Sequence, residues 1–417
     1  MSKLPSACYH ALLGPRRIFL LVLLAAALVA GIDESIILPT GDAAIRYTFG
    51  PLTDRATQLD ARLRSGSASL AYSPDFGYLT SLLRVLDVPA ESQVLVFSRT
   101  SFQAPRIAPR TPRALYHSAD VSIGFVHGGD VLEIAAVDPR QGVVFYTLDQ
   151  AEAARPRLVR REECMHCHIG TSTLGVPGLV VRSVHADRNG QALLTARAYV
   201  TDHRSPLEQR WGGWYVTGLS GPQHHLGNQT VTDRDSPEYD SATGSNVRSL
   251  DRLIDTGSYL VPGSDIVSLM VLEHQTRFTN LVTRLGWESR LGRKIDDTVT
   301  ELVSYLLFAD ETALTAPVQG GRAFADSFAR AARRDRKGRS LRDFDLVHRL
   351  FQYRCSYLIY TEQFDGVPAP ARELVLRRLY GILSGAEPSH LGEIERQAIL
   401  EILRETKTGL PEYFRAR

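Results

Sequence analysis

The sequence predicts an α+β fold, with a β-rich middle followed by an all-helical C-terminal part. Three observations point there. Short runs of β-branched and aromatic residues, punctuated by Gly, Asp and Asn turns, crowd the stretch from residue 92 to about 218. Beyond residue 264 the apolar spacing changes to the 3.6-residue period of helices. No alternation of strand and helix with a Gly-rich phosphate loop appears, so a parallel nucleotide-binding sheet is not expected.

In chain order, residues 54–65 and 76–88 carry helical spacing, and Leu79, Leu82, Leu83 and Leu86 share one apolar face of the second segment. Strands follow at 94–97, 121–125, 131–137 and 143–148. The connections HGGD (127–130) and DPRQG (138–142) are turn chemistry, and together these runs read as a β meander. A further hairpin is expected from 179–185 and 191–200 around Asn189-Gly190, then a strand at 214–218. Ser264-Asp265 can cap a long helix reaching about residue 285. Helices are also expected at 296–309, 371–384 and 390–405, and the charged stretch RRDRKGRSLR (333–342) reads as a solvated loop.

A chain of 417 residues with 44% apolar and 23% charged residues is long enough to bury a core without staples. Its net charge of +2, with basic residues dispersed and not interleaved with aromatics, excludes a nucleic-acid-binding stripe. Four cysteines, Cys8, Cys164, Cys167 and Cys355, exclude a disulfide framework. Residues 18–32 (IFLLVLLAAALVAGI) form an uninterrupted apolar run behind Arg16-Arg17. Its length suits the core of an export signal, because a bilayer span needs about 20 residues. The two arginines orient the N-terminus inside and the remainder outside. Residues 1–32 are therefore expected to be a signal peptide or an uncleaved signal anchor that engages the membrane at least transiently. The mature chain would then be periplasmic, or anchored to the outer face of the cytoplasmic membrane.

The residues that carry chemistry are Cys164-Met165-His166-Cys167-His168, a C-x-x-C-H motif. Two thiols two residues apart lie about one backbone turn apart, so both can reach the vinyl groups on one edge of a porphyrin. The histidine that follows can then turn under the ring to ligate iron. From composition alone, a chance match is on the order of one in a thousand for such a chain. Half of a zinc site, or a thioredoxin-type redox dithiol, are the alternatives. The first would need further ligands, and the second a βαβ setting that the pattern lacks. The expectation is one covalent haem c, with thioethers at Cys164 and Cys167 and His168 as the proximal iron ligand. The Gly/Pro segment LGVPG (174–178) resembles the loop that, in soluble cytochromes c, offers a carbonyl to the second ring nitrogen of the proximal histidine. The likeness implies such a carbonyl near Pro177 for His168, and a plain turn before a strand is the ordinary alternative.

Candidates for the opposite face of the iron are His274, His225 and Met270. Met270 and His274 share a helix face at i, i+4 spacing, and His225 sits in a Gly/Pro/Asn-flanked loop. Each has an ordinary alternative: core filling for Met270, a hydrogen-bonded structural histidine for His274, and simple exposure for His225. An open sixth position is the remaining option. Arg155, Arg157, Arg160, Arg161 and Arg182 can pair with haem propionates or simply solvate a basic turn. Trp211, Trp214 and Tyr215 are expected to pack near the ring or the core, and Cys355 to be a small buried residue.

By this motif the chain resembles the c-type cytochrome class, and more broadly uncharacterised exported bacterial proteins with a single C-x-x-C-H. The blocks RWGGWYVTG (210–218) and 355–373 carry that second likeness. It departs from the compact soluble cytochrome c, whose motif opens a small helical domain, whereas here the motif sits between β hairpins in mid-chain. The expected domains are therefore 33–263, mixed and carrying the haem motif, and 264–417, helical. That second likeness implies a compartment and a cofactor but supplies no activity; the first expectation is single-electron transfer between periplasmic or membrane redox partners. A haem enzyme reducing peroxide or a small oxyanion, or a haem-based sensor with an open distal site, is the alternative.

Overall fold

A computed structural model describes residues 36–193, 195–233, 239 and 241–415. The apolar run at 18–32, its arginines and Cys8 lie outside the described residues. Among the described residues, no helix is long and apolar enough to cross a membrane.

The fold is α+β. Five strands run as an antiparallel meander: β2 (Arg113–His117), β3 (Val121–Val126), β4 (Val131–Asp138), β5 (Gly142–Asp149) and β6 (Leu158–Arg160). Beyond β2 the sheet is completed by β1 (Val94–Val96) and β9 (Trp214–Tyr215), giving seven strands in the order β6-β5-β4-β3-β2-β1-β9. A separate two-stranded ribbon pairs β7 (Arg182–Val184) with β8 (Ala198–Val200). This ribbon is shorter than the sequence pattern suggests. The Asp187 carboxylate accepts from the amides of Asn189 and Gln191, and this side-chain turn at Asn189-Gly190 breaks the ladder that alternation alone would extend. Strands β2 and β6 are additions to the expected set.

Because side chains alternate across a strand, the sheet sorts its residues onto two faces. On one face, Leu95, Ala114, Tyr116, Ile123, Phe125, Ile134, Val144 and Tyr146 form a core with α1 (Arg55–Ser65) and α2 (Leu79–Val85). Asp54 caps α1, accepting from the amides of Ala56 and Thr57, and the same carboxylate takes the Tyr146 hydroxyl at 2.7 Å. Leu79, Leu82, Leu83 and Leu86 are all buried, as their spacing requires.

The other face is covered by α3 (Ile266–Arg290), a 25-residue helix about 37 Å long at the α-helical rise. Asp265 caps it, accepting from Val267 and Ser268. Its side chains are buried almost all round, so it acts as a spine. Several of its polar groups are met by partners: Gln275 by His117 and Tyr357, Thr283 by Gln363, Arg284 by Glu288. Behind it pack α4 (Asp296–Leu306), α5 (Arg322–Arg330), α6 (Ala369–Ser384) and α7 (Glu393–Thr406). Their apolar residues share one cluster with Val94, Val96, Trp211 and Trp214, so a continuous core crosses the boundary between 33–263 and 264–417. Helix α5 has no counterpart in the expected set, and the charged stretch 333–342 is irregular, as its composition predicts.

Candidate functional site

At the β4–β5 end of the α3-facing side, Ala135, Val143 and Phe145 form a small apolar patch apart from the main cores. Cys164, Met165 and Leu179 pack against it. The C-x-x-C-H motif is set on this patch by its own short helix. A 3₁₀ turn over Glu162–Cys164 runs into one α-helical turn, Met165–His168. Cys167 is exposed and Cys164 is half-buried. Burial, with the Glu163 and Glu133 carboxylates nearby, pushes the Cys164 thiol up to about 11. A redox dithiol needs a lowered thiol, so the local field runs against thioredoxin-type chemistry. Among the described residues, no group of three or more His, Cys, Asp or Glu side chains is placed to hold a metal ion, which leaves a zinc half-site without its second half.

The His168 ring is held on two sides. Phe145 packs against it with ring centroids 4.6 Å apart. Its Nδ1 lies 2.9 Å from the carbonyl oxygen of Gly178. A carbonyl only accepts, so Nδ1 carries the proton and Nε2 keeps its lone pair. The Gly178 amide returns a bond to the His168 carbonyl at 3.0 Å, which closes a reciprocal pair. Burial lowers the His168 pKa below the ordinary histidine value, so the ring is neutral and competent as a ligand. The acceptor is thus one residue past Pro177, within the segment expected from the sequence.

The Gly178 loop is in turn fixed from α3. Asn280, which is buried, accepts from the Leu179 amide at 3.0 Å and donates to the Leu179 carbonyl at 2.7 Å. A Cβ on Gly178 would lie 2.2 Å from the Asn280 Oδ1, so glycine is required by this approach. Near His168 on the sheet, Arg113 and Glu133 form an ion pair at 3.1 Å, while the Arg113 Nε is buried without a partner. Between Leu179, Ala135 and the α3 residues Leu272, Gln275, Thr276 and Thr279 runs a narrow crevice toward the β2–β3 turn. A larger cleft, at the start of α3 beside Arg248 and Phe324, contains no residue of the motif.

Most of the other expected site residues are engaged elsewhere. Arg157 pairs with Asp60, Arg160 donates to the carbonyls of Tyr47 and Thr48, and Arg161 donates to Thr147. Arg155 and Arg182 are exposed. His274 is fully buried, with Nδ1 2.9 Å from His203 Nδ1 and Nε2 2.7 Å from the Ser356 hydroxyl. Its ring also stacks on Tyr305 and Phe308. His225 is buried rather than exposed. Its Nδ1 accepts from the Gly227 amide, and the ring lies edge-on to Trp211. Met270 fills the core around α3, together with Trp211 and Trp214, while Tyr215 packs on the opposite face of the sheet. Cys355 is fully buried, and burial pushes its thiol up to about 12.

Asn280, Phe145 and Arg113 escape a reading of the sequence because no local pattern marks them; only the Gly/Pro character of 174–178 signals that something must come close. No family model matches this chain, and no characterised protein or solved structure matches it.

Proposed function

We propose that this chain is an exported monohaem c-type cytochrome that transfers single electrons between periplasmic or membrane redox partners. Cys164 and Cys167 would carry the thioethers, and His168 Nε2 would ligate the iron. The observation that carries this reading is the bond from His168 Nδ1 to the Gly178 carbonyl at 2.9 Å. It fixes the tautomer in which Nε2 is the free donor, in a motif whose two thiols already lie on one turn.

The residues present fit the group. The patch of Ala135, Val143, Phe145 and Leu179 offers an apolar wall to a porphyrin face. The unpartnered, buried Nε of Arg113 offers a donor to a propionate. A bound haem supplies a one-electron couple at iron. The chain itself covers one side of the His168 ring with Phe145, keeps that ring neutral and oriented, and leaves Cys167 at the surface, where a haem attached to it would be accessible to a redox partner.

A second reading is favoured by the distal candidates. His274 uses both ring nitrogens on other partners, His225 accepts a backbone amide, and Met270 is core filling. If these contacts persist in the loaded protein, the sixth position is open, as a haem enzyme or a gas sensor requires. The spectrum of the reduced protein with and without carbon monoxide decides. A six-coordinate carrier responds little, whereas a prompt shift to a CO-bound band replaces the electron-transfer reading with the second. Cys167→Ser is expected to abolish covalent haem staining on a denaturing gel, and staining at full strength would refute both.

A further inference from the structure

We propose that Asn280 is the positioning residue for the iron-binding imidazole: by gripping the backbone of Leu179 from α3, it fixes the Gly178 carbonyl against His168 and so sets the reduction potential. This rests on the haem reading above.

Three links make the chain of action. His168 and Gly178 exchange two hydrogen bonds, Nδ1 to carbonyl at 2.9 Å and amide to carbonyl at 3.0 Å. The next residue, Leu179, has both its amide and its carbonyl taken by one side chain, the Asn280 amide, at 3.0 and 2.7 Å. That amide is oriented by its bonds, since only Oδ1 can accept from the Leu179 N–H and only Nδ2 can donate to its carbonyl. It sits on a helix buried along most of its length and is itself 1% exposed, so it has no room to swing away. Glycine at 178 is what lets it in, because a Cβ there would meet Oδ1 at 2.2 Å. Leu179 without this grip would lie on a Gly/Pro loop tied mainly through its neighbours, and the Gly178 carbonyl would drift from Nδ1.

The consequence is electronic. A strong Nδ1–H···O=C bond pushes electron density through the ring to Nε2 and favours the oxidised iron. Loosening it weakens the donation and raises the potential. Asn280→Leu removes both bonds at similar volume. The expected result is a rise in potential that changes the oxidised-to-reduced ratio about tenfold at fixed potential, the order typical of outer partners of ligating histidines. For one electron this is about 59 mV. Asn280→Asp keeps the acceptor for the Leu179 amide and loses the donor, so a smaller rise is expected from a variant that keeps the loop in place. Gln275→Leu is the control. It breaks contacts of the same helix to His117 and Tyr357, and should lower stability while leaving the potential unchanged.

A second readout needs no haem. Amide exchange at Leu179 should quicken in Asn280→Leu and not in Gln275→Leu. A folded Asn280 variant with covalent haem, an unchanged potential and an unchanged His168 Nδ1–H resonance overturns the proposal. If Asn280→Leu does not fold, Asn280→Asp decides by the same criterion. A wild-type chain without covalent haem fails the underlying reading itself, and no variant is needed to see it. Faster Leu179 exchange in Asn280→Leu would then show that the grip is structural only.

Discussion

The buried ion pair between Arg210 and Glu273 offers the sharpest test of how the β-rich part is joined to α3. The two side chains are 2% and 0% exposed and 3.0 Å apart. The guanidinium also donates to the carbonyls of Ser205, at 2.8 and 2.6 Å, and of His203, at 3.1 Å. Arg210→Met therefore breaks the pair and leaves backbone acceptors unmet. Removing one partner of a buried pair costs about 3–5 kcal/mol. The cost should depend on pH in a definite direction. Burial pushes Glu273 up to about 7 even with Arg210 beside it, against a free value of 4.5. Without Arg210 its pKa rises further. At pH 5.5 the carboxyl is protonated in both proteins, so only the lost hydrogen bonds count, about 1–3 kcal/mol. At pH 8 the wild type holds a paired carboxylate, while the variant must either bury an unpaired charge or keep a proton that the unfolded chain releases. Each pH unit of that mismatch costs about 1.4 kcal/mol. Denaturant unfolding at the two pH values measures this, and Arg210→Met/Glu273→Leu should remove the pH dependence and recover much of the loss at pH 8. An effect below about 1 kcal/mol at pH 8, or an equal effect at both values, would refute the argument.

Two further outcomes follow from the packing. Gly142 has φ +82° in the β4–β5 turn, and a Cβ there would lie 2.4 Å from the Thr283 methyl on α3. Gly142→Ala should cost at least about 2 kcal/mol in denaturant unfolding from backbone strain and overpacking together, and a neutral effect would mean that the hairpin does not seat on α3. The pH–stability profile is the other. Burial lowers His117 and His225 to about 4 and His274 to about 3, while it raises Glu273 and Glu311 to about 7. Between pH 4.5 and 6.5 the unfolded chain takes up protons at these three imidazoles that the folded chain leaves neutral, and burial lowers His203 and His168 in the same direction. The folded chain keeps the carboxyl protons of Glu273 and Glu311 that the unfolded chain releases, and burial raises Asp120 and Asp265 as well. The lowered imidazoles outnumber the raised carboxyls, so stability rises with pH in this window, and more steeply below it, where the carboxyls no longer oppose. Above pH 6.5 the imidazole contribution is complete and the carboxyl contribution still falls, so melting temperatures should peak near that pH. A peak below pH 5 would contradict the burial of these histidines.

The sheet was legible in its long strands because period-two alternation and turn residues are local properties. Val131–Asp138 and Gly142–Asp149 fall where the pattern puts them. Arg113–His117 has no such mark, because Arg, Ala, Leu, Tyr and His in succession carry no clear apolar–polar alternation; its identity as a strand comes from pairing with neighbours on both sides. Helix α3 was legible from its cap and spacing, yet it extends past the expected end to Arg290, because buried contacts on every side reward further turns.

By itself, the sequence determines the motif: C-x-x-C-H sets two thiols and an imidazole within five residues, and the Gly/Pro loop after it marks a close approach. Only the tertiary structure decides what touches the motif. Leu179 and Asn280 are 101 positions apart, His203 and His274 are 71, and Arg210 and Glu273 are 63. Such pairs leave no trace in local spacing. Whether a histidine on a buried helix faces a cofactor or another histidine depends on which strand or loop packs against it, and that is settled by the sum of burial over the whole core.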